Sequence, residues 1–420
     1  MLTNVLSDGL GTLLAVALVS RLAFLFISDI TQKKHGVLRN YPVVGHLRYF
    51  FEELGEYFRQ YFFSGDREEM PFNRATRAWV YRLAKNEGGT IGFGSTYDMH
   101  QPGALSPYHL EGGPDLVMQI GTAKYGVRDA RGDLSRERLA ELANVAKAFE
   151  IKLSQGAKPG KGGLLPGHKV TAEIAQIRAI PEGRDSISPN RHHDIANIEQ
   201  LLDKIAMVRE LTGRPVGVKT AVGGWGLVNA FGDAIHRRGL EFAPDFLVID
   251  GGEGGSGAAP QALADHMGLS IDEALPRVVE GLIETGLRSR IRVVASGKLI
   301  TWARAAWALC VGADFVNTAR GFMFSLGCIQ ALRCHTNTCP TGVTTHNKRL
   351  QRALVVEEKY LRVANYCSNM NRKIDMIAHS CGVRHARELK REHVRIVQAS
   401  GQSVALNMLS PYPDPRPRAA

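Results

Sequence analysis

Hydrophobic and polar positions fall along this chain in three successive patterns. From Gly9 to Ile27 (GLGTLLAVALVSRLAFLFI) almost every position is apolar, a length that spans a bilayer as one helix. Arg21 interrupts the run and costs about 2–3 kcal/mol at mid-span, less if its head snorkels to the interface. From Tyr41 to Trp79 the pattern becomes amphipathic and rich in aromatics, with Phe50, Phe51, Tyr57, Phe58, Tyr61, Phe62 and Phe63. It predicts helices, either at a membrane interface or packed on the outside of a domain.

From Leu116 onward short apolar runs alternate with helical stretches such as Ile198–Leu211 and Ile271–Thr285. That alternation predicts βα units and an α/β fold on a parallel sheet. The expected strands are Val117–Gly121, Phe149–Gln155, Asp185–Ser188, Pro215–Thr220, Phe246–Asp250, Ile291–Ser296 and Phe315–Thr318. Most end in a polar or glycine-rich loop, where a TIM-type (β/α)8 barrel carries its chemistry. Seven is one short of eight, and Asp185–Ser188 reads equally as a loop extension. The expected division is an anchor at 1–30, a helical extension at 31–99, a barrel domain at 100–400 and a disordered tail at 401–420, proline-rich from Ser410.

Composition narrows the partners. With 44% hydrophobic and 22% charged residues the chain is globular. Its net charge of +11 raises nucleic acid as a partner, but the basic residues are scattered, with neither an aromatic-interleaved patch nor zinc-finger spacing. The expectation is no nucleic acid; anionic lipid, an anionic cofactor or an acidic partner fits better. Lys33, Lys34, Arg39 and Arg48 follow the apolar run and nothing basic precedes it. Positive-inside logic then leaves the bulk of the chain in the cytoplasm. A cleaved signal peptide would want a basic start and a small-residue cleavage site; a buried soluble helix is the third reading.

The most specific chemical signal is Cys328-x5-Cys334-x4-Cys339-Pro340. Thiolates ligate iron–sulfur clusters, and three favour a three-iron cluster; zinc with His335 as fourth ligand is the alternative. Cys310, inside TWARAAWALC, reads as core. At the last two strand ends, Ala295-Ser296-Gly297-Lys298 and Thr318-Ala319-Arg320-Gly321 suit a phosphate cradle of backbone N–H groups plus cationic charge. The loop Asp250-Gly251-Gly252-Glu253-Gly254-Gly255-Ser256-Gly257-Ala258 allows close approach to a flat ring or a phosphate. Lys152 and Lys219 lie inside apolar strands, where a lysine is costly unless it meets an anion or a carbonyl. His192-His193-Asp194 reads as a helix N-cap first and a proton relay second.

Taken together, Ile151-Lys-Leu-Ser-Gln155-Gly-Ala-Lys158-Pro-Gly160, Leu165-Pro-Gly-His168-Lys169-Val, Ile187-Ser-Pro189, His192-His-Asp-Ile195, the glycine loop and Cys328 through Cys339-Pro-Thr-Gly342-Val resemble the FMN-binding synthase domain of glutamate synthase. The resemblance runs from about Leu105 to Val343. The part through Gly94, with Arg39-Asn-Tyr-Pro-Val-Val-Gly-His46, is similar to a stand-alone, membrane-anchored branch of that family. It implies that 2-oxoglutarate and ammonia form 2-iminoglutarate, which hydride from reduced FMN converts to L-glutamate. Lys152, Gln155 and Lys219 would contact flavin or keto acid. Gly251, Gly252, Gly254, Ser296, Gly297, Lys298, Ala319 and Arg320 would hold FMN. Cys328, Cys334 and Cys339 would hold a [3Fe-4S] cluster that feeds the flavin.

Two departures from the family pattern modify this. No cysteine-nucleophile domain precedes the synthase motifs, so nitrogen would come from a glutaminase partner, free ammonia or an amine such as methylamine, and electrons from a reductase subunit. Between Gly94 and Leu105 the sequence STYDMHQPGA crosses directly where the family has its first strands. About two βα units, roughly 30 residues each, have no counterpart, which would leave an open edge and part of the flavin site unbuilt. Two further readings follow: a relic or electron-transfer subunit that keeps only the cluster, and an N-methylglutamate synthase-type enzyme.

Overall fold

The computed structural model describes residues 2–87, 116–129, 131–224, 226–257 and 259–414. The segment in which the first strands are expected to be missing lies outside these residues. The chain forms two compact units, Met1–Ala78 and Trp79–Ala420.

In the first unit the apolar run becomes helix α1 (Leu2–Thr31). Its stretch Gly11–Thr31 is long and apolar enough to cross a membrane and is only 6% buried. A short helix α2 (Gly36–Asn40) and the amphipathic α3 (Gly45–Phe58) follow. α3 runs on into a π-helical turn, Arg59–Phe63, and the division between the units falls within α4 (Arg74–Ala84).

Among its described residues the second unit has ten strands. They are β1 (Val117–Ile120), β2 (Ala148–Lys152), β3 (Leu164–Leu165), β4 (Ser186–Ile187), β5 (Val216–Thr220), β6 (Phe246–Asp250), β7 (Arg292–Ser296), β8 (Phe315–Asn317), β9 (Arg395–Val397) and β10 (Ser403–Ala405). Six make one all-parallel sheet in the order β1-β2-β5-β6-β7-β8. The helices between and after them are α5 (Arg136–Leu142), α6 (Ala172–Arg178), α7 (Ile198–Thr212), α8 (Gly226–Arg238), α9 (Gln261–His266), α10 (Ile271–Glu284), α11 (Trp302–Val311), α12 (Ala319–Ser325), α13 (Lys348–Gln351), α14 (Val356–Ser380) and α15 (Leu406–Leu409). Side-chain caps start several of them: Ser135, Thr171, Asn197 and Thr301 each accept a backbone N–H of the first turn. Asn197, not the His192–Asp194 triplet, therefore caps α7.

Strand register sorts the side chains onto two unlike faces. Ile120, Phe149, Ile151, Val216, Val218, Leu247, Ile249, Val293 and Ala295 share one face and are buried. α7 packs on β5, α10 on β6 and β7, and α11 on β8. This is the core. The other face carries Gln119, Glu150, Lys152, Lys219, Asp250 and Ser296, the positions that line the interior in a closed barrel. Among the described residues β1 and β8 are unpaired on their outer sides, and Leu116, Val117 and Phe315 are exposed there. Among the described residues the architecture is α/β of barrel type, an open parallel sheet of six strands.

Two expectations change. Asp185–Ser188 is not a strand of the main sheet: β4 pairs antiparallel with β3 in a separate two-stranded sheet. Residues 401–414, expected in a disordered tail, contain β10, which pairs antiparallel with β9, and α15. The cause is Arg391, which is fully buried. Its Nη1 donates to Glu280 Oε1 (2.9 Å) and to the Ser410 carbonyl (2.6 Å), while its guanidinium lies 4.4 Å from the Tyr412 ring centre. Breaking a buried ion pair costs roughly 3 kcal/mol or more. Arg391→Ala is expected to lower the unfolding free energy by about that amount and to open new protease sites beyond residue 400. An unchanged urea midpoint with no new cleavage would contradict this role.

Candidate active site

The polar face of the sheet ends in loops that converge on one carboxylate. Asp250, the last residue of β6, is buried. Its Oδ2 accepts the N–H of Gly156, after β2, at 2.7 Å. Its Oδ1 accepts the Ser296 hydroxyl, at the end of β7, also at 2.7 Å. Gly251 N–H donates to the Ser296 carbonyl (2.8 Å) and Gly252 N–H to the Leu269 carbonyl (2.7 Å), while Gly254 N–H turns back onto Gly251 (2.8 Å). The Glu253 carboxylate accepts Ile271 N–H at the start of α10 (3.0 Å). Glycine is required at two of these places. A Cβ on Gly156 would stand 1.8 Å from the Gly251 carbonyl oxygen. Gly297 has φ +136° and its Cβ would lie 3.3 Å from Gly251 Cα.

Beside this knot the predicted lysines come together. Lys152 and Lys219 are register partners on β2 and β5. Lys152 Nζ donates to Gln155 Oε1 (3.1 Å), and Gln155 Nε2 donates to the Gly255 carbonyl (2.9 Å), so Gln155 joins the lysine to the glycine loop. Burial, then Lys219 and Lys158, push the Lys152 pKa down. Below them on the same face Glu150 is buried and accepts Gln119 Nε2; burial pushes its carboxyl up. Lys158 is buried as well, and burial and the neighbouring cation Lys161 lower its pKa. The sequence reading passed over Lys158, although it lies in the same run as Lys152 and Gln155.

A second cationic group sits at the last two strand ends. Lys298, in the left-handed region at φ +47°, is lowered by burial and by Arg320. Arg320, which with Ala319 opens α12, donates to the Glu253 carbonyl (2.8 Å) and is lowered by burial. Ser296 is committed to Asp250. Each group holds cations against burial and, at Lys152 and Lys298, against each other. An anion bound at either would relieve that strain.

His192 lies behind β2. It is buried, and its Nε2–H donates to the Lys152 carbonyl (2.9 Å), which leaves Nδ1 as a lone-pair nitrogen without a partner. Burial lowers its pKa to about 4. Asp194 instead pairs with Lys204 (2.5 Å) and Lys124 (3.5 Å).

The three predicted cysteines lie on one irregular loop, with Gln330, Leu332 and Asn337 at positive φ. Cys328 Sγ accepts Gln330 N–H (3.4 Å), and Lys169 Nζ donates to the Cys334 carbonyl (2.7 Å). Burial would raise the Cys339 thiol, but hydrogen bonds from Thr341 and Thr344 outweigh it and bring its pKa down to about 7. Among the described residues no three His, Cys, Asp or Glu side chains form a ligand set for a metal ion, so neither the three cysteines alone nor the three with His335 stand in a metal-ligating arrangement. Cys310 is fully buried in α11, as expected of a core residue.

Comparison with known proteins agrees with these motifs. Residues 96–384 match the conserved region in glutamate synthase. A glutamate synthase large subunit-like protein of Bacillus subtilis, YerD, is 34% identical over 499 aligned positions, covering 92% of this chain and 94% of the relative. Because the chain has 420 residues, at least 79 of those 499 positions face gaps in it. An archaeal glutamate synthase (NADPH) of Methanocaldococcus jannaschii is 36% identical over 75% of this chain and 58% of its own length. An archaeal-type glutamate synthase (NADPH) of Thermotoga maritima is 34% identical over 66% of this chain and 52% of its own. The chain thus spans little more than half of these two relatives.

The environment of His192 makes a pH prediction. Its folded pKa lies near 4 against the ordinary histidine value of 6.5. Between those values the unfolded chain takes up a proton that the native chain refuses, so stability falls as pH drops from about 6.5 to 4, by up to about 3 kcal/mol. His192→Gln keeps an N–H for the Lys152 carbonyl and removes the titration. The unfolding free energy of the wild type is expected to fall more steeply than the variant's across that window. Parallel curves would rule the assignment out.

Proposed function

Because the chain belongs to the glutamate synthase family, we propose that it catalyses reductive amination of 2-oxoglutarate to L-glutamate with FMN bound across the carboxyl ends of β2, β5, β6, β7 and β8. The observation that carries this reading is the pair of cationic groups on either side of the Asp250 knot. When bound, FMN would supply the hydride, and a [3Fe-4S] cluster would supply its electrons.

The residues around the Asp250 knot fit FMN. Lys298 and Arg320, with the backbone at Gly297 and Ala319, would hold the flavin phosphate. A dianion there removes the repulsion that lowers Lys298. Gly251, Gly252 and Gly254, packed closely on neighbouring backbone, would border the flavin with their main chain. Lys152, Gln155, Lys158 and Lys219 would take the carboxylates of 2-oxoglutarate and the negative charge of reduced flavin. Lys152 Nζ, held by Gln155 Oε1, gives up a proton more readily than an ordinary lysine, which suits it to protonate the substrate nitrogen. Cys328, Cys334 and Cys339 would ligate the cluster. In support, the Cys339 sulfur already sits among hydrogen-bond donors that favour the thiolate. Nitrogen would arrive as ammonia, free or from a glutaminase subunit, or as an amine in an N-methylglutamate synthase-type variant, and electrons through a reductase subunit. α1 would anchor the chain with its catalytic part in the cytoplasm.

A second reading draws on the six-stranded sheet and the alignment shortfall. Loss of several first-strand hydrogen bonds, at about 1 kcal/mol each, would weaken FMN by one to several orders of magnitude. A chain that keeps its cysteine loop but not its flavin is an electron-transfer subunit or relic.

Turnover separates the two. The chain as isolated is expected to have lost FMN and to form little glutamate from 2-oxoglutarate, ammonium and a chemical reductant. Saturating FMN should restore the reaction. No glutamate at any FMN concentration would favour the second reading. Independently, Cys334→Ser is expected to abolish cluster absorbance while the chain stays soluble. Iron and sulfide equal to wild type would show the ligand assignment to be wrong.

A further inference from the structure

Along α3 and the turn after it, Leu47, Phe50, Phe51, Phe58, Phe62 and Phe63 are between 41% and 75% exposed. Leu47, Phe50, Phe51 and Phe58 fall at i, i+3, i+4 and i+11, a single stripe on a 3.6-residue helix, with Arg48, Glu52 and Arg59 around the other side. The rings touch one another, Phe50 to Phe51 at 5.4 Å and Phe58 to Phe62 at 5.5 Å, and still leave their outer faces uncovered. Six large apolar side chains in one stretch exceed the scattered exposure normal for a soluble surface.

The position of this stripe is fixed relative to α1. Asp29, in the last turn of α1, is 4% exposed. Its carboxylate accepts Val43 N–H (2.8 Å) and His46 Nε2–H (2.9 Å). α3 also packs against α2 at Gly45, where a Cβ would lie 3.0 Å from Leu38 Cδ2. The start of α3 is therefore fastened to the end of the helix that is long and apolar enough to cross a membrane. Lys33, Lys34 and Arg39 lie in the connection, where cations meet lipid headgroups.

From this continuity we propose that α3 and Arg59–Phe63 lie in the bilayer interface with the aromatic stripe facing the lipid. They would form a second attachment beside the span of α1. The proposal rests on the anchor reading, and the occupant of the stripe is the headgroup–acyl boundary, where aromatic rings are favoured.

The test uses the full chain carrying Phe62→Trp, with Phe51→Trp as a second reporter, in phosphatidylcholine–phosphatidylglycerol vesicles. The lipids are brominated either near the headgroup or deep in the acyl chain, and the parent chain in the same vesicles supplies the background of its own tryptophans. Emission from the new tryptophan is expected to shift to the blue and to be lost more with shallow than with deep bromines. A chain that floats with the vesicles while this emission escapes quenching by either lipid overturns the interface proposal and leaves the anchor standing. In that case a protein, including a second copy of the chain, covers the stripe. A chain that does not float overturns both.

Discussion

A single buried carboxylate holds the candidate site together. Asp250 closes β6 in the interior of the sheet and binds the loop after β2 through Gly156 and the end of β7 through Ser296. Neither partner is close in sequence, so the two bonds tie loops separated by 94 and 46 residues to one point. The glycine loop starts at the next residue and is pinned between Ser296 and Leu269. The position of the loop, and through Gln155 the position of Lys152, both derive from this knot. A site on strand ends is only as well placed as the loops that join them.

The sheet explains how an incomplete barrel can still hold such a site. Its apolar face is sealed by helices and contains the hydrophobic core. Its polar face is not what folds the unit, so the six strands seen among the described residues keep the core whether or not a barrel closes. The electrostatics follow from the same division. Glu150 and Lys152 project from the same face as Lys219 and are partly desolvated there. Carboxylates and cations in such a place shift toward their neutral forms unless a ligand compensates them. The cationic excess at Lys152, Lys158 and Lys219, and again at Lys298 and Arg320, is the physical reason to expect an anionic flavin and a dicarboxylate substrate.

Much of this was legible in the residues. The six sheet strands were foreseen within a few positions because each is a β-branched or apolar run, most of them closed by a glycine or a polar residue, as in Phe246–Asp250 followed by Gly251. Lys152 and Lys219 stood out for the same reason, as charges inside apolar runs. What the pattern hid depends on distant partners. The Asp250–Ala258 loop was legible as a place of close approach to a ligand, but not the carboxylate's bonds to Gly156 and Ser296. Lys158 was legible only as part of the family motif, not as a buried cation. Residues 403–409 read as tail because their order comes from Arg391 and Glu280, which no local pattern records. The His192–Asp194 triplet resembled a cap, yet Asn197 sits at the start of α7 with the extended backbone a cap requires.

The dependence of the site on Asp250 can be measured directly by titrating FMN into the wild-type chain and into Asp250→Ala, with far-ultraviolet circular dichroism as the control for the fold. Two hydrogen bonds to a buried carboxylate, at about 1–1.5 kcal/mol each, correspond to roughly a 30- to 150-fold weakening. The account predicts a loss of FMN affinity in that range with the dichroism spectrum unchanged. Equal affinity in the two proteins would contradict it.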